Sequence, residues 1–81
     1  MFSQIDEPID VIAKFSKNKL TPVKFLWGGR EYLVRKINLT WSSFEGRSKI
    51  YYFAVSDNVN CFKLRFDTES LRWTLLESYV E

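Results

Sequence analysis

Cys61 stands two residues before Lys63 and four before Arg65, and this trio is the nearest approach in the chain to a nucleophile in a cationic setting. A thiolate nucleophile also needs a base, and none is at hand, because the sequence contains no histidine. That absence removes the usual general base of nucleophilic triads and the commonest metal ligand. With one cysteine and no histidine, a thiolate and imidazole zinc site cannot be assembled from one chain. Asp6, Glu7 and Asp10 gather carboxylates, but their spacing matches no calcium loop and reads as an exposed polar stretch. Gly28-Gly29-Arg30 resembles part of a phosphate cradle, which requires more glycines and the N-terminus of a helix behind them. The run that follows, REYLV, alternates like a strand, so the glycines read as a turn. The expectation is a non-enzymatic chain with no metal, no cofactor and no small-molecule substrate.

Charge suggests a different use. The net charge is +2, but residues 14 to 65 carry eleven Lys or Arg against Glu31, Glu45 and Asp57, while both ends are acidic. A stretch with a net charge of +8 can attract phosphates. If the alternating apolar residues of the strands point inward, Lys24, Arg35, Tyr52, Lys63, Arg65 and Arg72 point outward. Such a face can bind nucleic acid, with cations meeting phosphates and Tyr52 offering a ring to a base. The competing reading is a solvated exterior. A third uses Leu26, Leu33, Ile50, Tyr52 and Leu76, apolar or aromatic residues expected outward, which together would mark a protein partner or a homodimer contact.

The elements that must position these residues are short strands. At 81 residues, 46% hydrophobic and 17% aromatic, the chain has the makings of one core and no room for two, so residues 1–81 read as a single β domain. Residues 1–8 read as a loosely ordered lead-in. From Ile9 the run Ile9, Val11, Ala13, Phe15 alternates with Asp10, Ile12 and Lys14 at period two and reads as a strand, although Phe2, Ile5, Ile9 and Ile12 also permit a helix. A polar loop from Ser16 to Pro22 is expected next. VKFLW-GG-REYLV then reads as a hairpin, since glycine takes the positive φ of a two-residue turn without steric cost. Beyond Val34 the phase flips to Ile37, Leu39 and Trp41, predicting one unpaired residue near Arg35-Lys36 that bends the strand. A loop over Ser42 to Ser48, a doubly apolar central strand around Tyr51, Phe53 and Val55, a half-buried strand with Phe62, Leu64 and Phe66, and a last one with Leu71, Trp73 and Leu75 inward complete the pass. The fold class expected is all-β, a five- to six-stranded antiparallel meander curled into a small, partly open barrel of SH3-like size.

The span from Phe25 to Trp41, preceded by Pro22, reads F-x-W-x-G-R-x-Y-x-V-x-x-I-x-x-x-W. It resembles a group of small, uncharacterised bacterial proteins and domains that share a P-x-x-F-x-W-x-G-R-x-Y-x-V pattern. The resemblance implies a bacterial cytoplasmic domain and brings no activity with it. Its matching positions are packing residues, apart from the turn glycine and Arg30. Arg30 is therefore expected to pair with an acid, to stack on Trp27 or Trp41, or to serve an anionic ligand with the other cations. A single cysteine and no apolar run long enough to span a bilayer agree with a cytoplasmic, non-membrane expectation.

Overall fold

Period-two patterning and two-residue turns dictate a meander, and the computed structural model, which describes residues 1–80, has seven antiparallel strands. They are β1 (Phe2–Ser16), β2 (Lys19–Trp27), β3 (Arg30–Leu33), β4 (Lys36–Glu45), β5 (Ser48–Ser56), β6 (Cys61–Asp67) and β7 (Arg72–Tyr79). The sheet order is β3-β2-β1-β7-β6-β5-β4, so the first and last strands pair and the break falls in mid-chain, between β3 and β4. Among the described residues there is no helix, and none long and apolar enough to cross a membrane.

β1 makes this order possible by serving two partners. Phe2–Ile9 pairs with β7, and Asp10–Ser16 pairs with β2. Residues 2–8, expected as a loose lead-in, are therefore strand, because β7 supplies hydrogen-bond partners that no local pattern announces. Within the half paired with β7 the register shifts between Gln4 and Glu7, where Asp6 takes a φ of 55°.

The expected GG hairpin is present: Trp27 pairs with Arg30, and Gly28 and Gly29 have φ of 59° and 77°. Two expected loops are much shorter than predicted. Ser16 to Pro22 reduces to a turn at Lys17-Asn18, both at positive φ, and Ser42 to Ser48 reduces to Gly46-Arg47. Pro22 lies inside β2, where Ala13 is its partner beside a register shift between Ile12 and Ala13. A residue without an N–H is tolerated at such an irregularity.

The predicted phase change has a different construction. The chain leaves the β2 ladder at Val34, whose N–H donates to the Val23 carbonyl, and joins β5 at Arg35, whose N–H donates to the Ser56 carbonyl. The register shift lies between Ile37 and Leu39 instead of at Arg35-Lys36. Because every neighbouring pair is antiparallel, β3 and β4 run in the same direction. They act as one bent strand that changes partner, which accounts for seven strands in place of five or six.

Curling is measured by the core. Strands in a flat sheet are about 4.8 Å apart, which would hold β2 and β6 about 14 Å apart. Phe25 of β2 instead meets Phe62 of β6 with ring centroids 5.1 Å apart, and Tyr32 of β3 meets the same ring at 5.3 Å. Phe25, Phe53, Val55, Phe62, Leu64 and Leu75 are buried in one cluster, with Trp27, Phe66 and Trp73 packed against it. Phe25, Trp27, Phe53, Phe62, Leu64, Phe66, Trp73 and Leu75, the residues that alternation turns inward, all lie in this core or against it. Leu71 does not: it sits exposed in the β6–β7 turn at a φ of 62°.

Candidate functional site

The outward residues of β5 and β6 follow from the ladder. Tyr52 opposes Arg65, and Ala54 opposes Lys63. On the other side of β5, Trp41 opposes Tyr52 and stacks on it, with centroids 5.3 Å apart and planes 11° apart. Lys63 stands 5.7 Å from the Trp41 ring, so Tyr52, Lys63 and Arg65 do share one surface. Trp41 belongs to that surface too, although its alternation with Ile37 and Leu39 suggested packing.

The cations on this face have partners. Lys63 Nζ lies 3.2 Å from Glu77, and Arg65 donates to Glu45 Oε1 at 2.7 Å. The Glu45 bond first, with Tyr52 adding to it, holds the Arg65 guanidinium above its ordinary range against a partial loss of solvent. Arg72 is exposed at one end of the β6–β7 ladder, opposite Asp67. Lys24 lies on the other side of the molecule, between β1 and β3, and pairs with Glu31 at 3.2 Å. Arg30 is exposed, its guanidinium 5.6 Å from the Tyr32 ring centroid, so its aromatic neighbour is Tyr32 in place of Trp27 or Trp41. Arg35 is exposed where the chain passes from β3 to β4, within the field of Asp57. The seven residues therefore form no continuous basic patch.

The apolar set divides as well. Leu26 and Leu33 are exposed diagonal neighbours on β2 and β3. Leu76 is half-buried beside the register shift of β7. Ile50 has no exposed surface, which removes it as a contact residue. It shares the outward side of β5 with Tyr52, and the Arg65–Glu45 bridge from β6 to β4 crosses β5 at its level.

The curled sheet is left open at a seam between β2 and β4. β3 is four residues long and pairs only with Lys24–Trp27, so the stretch Lys19–Pro22 of β2 has no strand on its second side. β4 likewise pairs only with β5. Between these two edges lies a mainly apolar cavity of about 350 Å³ lined by Phe15, Leu20, Tyr51, Phe53 and Phe66, with Thr40 on β4 and Lys19 on β2. Alternation from Thr40 places Ser42 and Phe44 on this concave side of β4. Phe15 and Phe44, near the tips of their hairpins, are 72% and 69% exposed. Sequence reasoning missed this site. Its one available signal was two phenylalanines, Phe15 and Phe44, each within three residues of a turn.

The cavity is poor in reactive groups. Lys19 is the one charged residue in its lining, and no group of three or more His, Cys, Asp or Glu able to hold a metal occurs among the described residues. Cys61 is a free, exposed thiol on the outer face, away from the seam. Comparison with protein-family models, curated proteins and solved structures finds no match to this chain.

Proposed function

We propose that the chain is a non-enzymatic binding module whose ligand is another protein, docked at the seam between β2 and β4. The observation that carries this reading is the pair of exposed rings, Phe15 and Phe44, on either side of an apolar cavity. A small domain that leaves two phenylalanines and an unpaired edge open to water keeps surface that a partner would bury. A single free cysteine favours a reducing compartment, and hence a cytoplasmic partner.

The test is selection of ligands from a displayed protein and peptide library on the immobilised chain, with the double variant Phe15→Ser/Phe44→Ser as counter-target. Ligands of the chain should bind the double variant at least tenfold more weakly while its circular dichroism stays unchanged. Ligands that bind both equally would remove the seam as the site.

A second reading is nucleic-acid binding on the outer face, favoured by the Trp41–Tyr52 stack beside Lys63 and Arg65. It is the weaker one, because Glu77 and Glu45 already occupy those cations. Titration with a single-stranded oligonucleotide at low and moderate salt tests it. Affinity should fall steeply with salt, and no binding at low ionic strength ends that reading.

A further inference from the structure

We infer that the partner enters the seam as an extended peptide strand, hydrogen-bonded to the free edge of β4, with an apolar side chain in the cavity and acidic residues beside it. This rests on the seam reading and adds the chemical form of the ligand. Three observations select it.

The first is the backbone. β4 runs for ten residues with one side unpaired, and an edge of alternating N–H and C=O groups is satisfied along its length only by another extended backbone. A helix or a small apolar molecule would leave that row open.

The second is the cavity, which opens between β4 and β2 and is lined by Thr40 and Leu20 from the two edges. Every second side chain of an added strand points to the same side, about 7 Å apart. One such side chain enters the cavity while the next lies against Phe44 or Phe15.

Charge is the third. Lys17 and Lys19 belong to the β1–β2 hairpin, and Lys49, 5.1 Å from the Tyr51 ring, belongs to the opposite wall. The ion pairs among the described residues use Lys24, Lys63 and Arg65, leaving these three lysines with none. The acids nearest this wall in sequence are engaged with other groups: Asp67 accepts from the Glu69 and Ser70 backbone N–H groups, Glu69 from the Ser48 hydroxyl, and Glu45 from Arg65 on the outer face. A strand flanked by Asp or Glu complements this rim, and a Lys-flanked strand is repelled by it.

The experiment uses the full chain, isotope-labelled, with synthetic nine-residue peptides that alternate Val, Ile or Phe with Thr. One series is bracketed by Asp-Glu, one by Lys-Lys, and one is the acidic series N-methylated at alternate amides. The acidic series should bind at least tenfold more tightly than either other series, and β4 amides on the free edge should gain at least tenfold protection from hydrogen exchange. Lys17→Glu/Lys19→Glu should reverse the charge preference. If the acidic peptides bind without protecting β4, or no alternating peptide binds while library ligands still require Phe15 and Phe44, the strand inference fails and the seam reading stands. If instead β4 becomes protected in the free chain as its concentration rises and light scattering reports a dimer, the occupant is a second copy and the inference is overturned. Should library ligands themselves ignore Phe15 and Phe44, both readings fall together.

Discussion

Arg65 of β6 and Glu45 of β4 are joined at 2.7 Å across the outer face of the intervening strand, β5. The bond closes a polar strap over Ile50 and removes a cation from the face that would have met phosphate. The pair is partly exposed, so its stability contribution is about 0.5 kcal/mol.

Its electrostatic role is larger than its energetic one. Glu45→Gln combined with Glu77→Gln frees both Arg65 and Lys63 beside the Trp41–Tyr52 stack. The double variant should bind a single-stranded oligonucleotide at least tenfold more tightly than the parent chain at low salt, with a steeper salt dependence. Equal binding by the two forms would show that this surface has no latent affinity for phosphate.

The core makes a contrast that urea unfolding can read. Leu75 has no exposed surface and lies in the central cluster, so Leu75→Ala should cost about 2–5 kcal/mol. Leu39, largely exposed on the edge strand, should change stability by less than about 0.5 kcal/mol when truncated. A similar cost at the two positions would contradict the curled core.

Gly29 tests the hairpin separately from packing. Nothing lies within 4 Å of the position a Cβ would take there, so any cost of substitution comes from its φ of +77°. Gly29→Val should destabilise by about 1–2 kcal/mol, because a β-branched residue is disfavoured in that region. Gly29→Asn should cost much less. Both are measured by thermal and urea unfolding.

Acid should weaken the fold through two turns. Burial would raise the Asp57 carboxyl, but this is outweighed by the backbone N–H groups of Asn60 and Val59, which donate at 2.6 and 2.7 Å and hold it below its ordinary value. The Glu69 backbone N–H, with Ser70, does the same for Asp67. A carboxyl lowered by folding contributes stability that is complete above the unfolded value, near 3.9, and is lost as pH falls through the folded one. The urea midpoint should therefore decline below about pH 4, and Asp57→Asn should flatten part of that decline. With no histidine to titrate, little change is expected between pH 5 and 8.

What was legible in the residues was local. Period-two alternation identified Phe25, Phe53, Phe62, Leu64 and Leu75 as inward, and Gly28-Gly29 announced a turn, because side-chain direction in a strand and backbone freedom at a turn depend on near neighbours. The length of the loops was overestimated where Lys17-Asn18 adopts positive φ without glycine. Partners distant in sequence were not legible at all. That β7 orders residues 2–9, that Arg65 reaches Glu45 over Ile50, and that β3 and β4 part from each other are consequences of how the sheet curls. Alternation says which face a residue takes. Whether that face meets water, an ion pair or an open seam depends on the tertiary structure, since curvature alone brings separate strands within reach or leaves a gap between them.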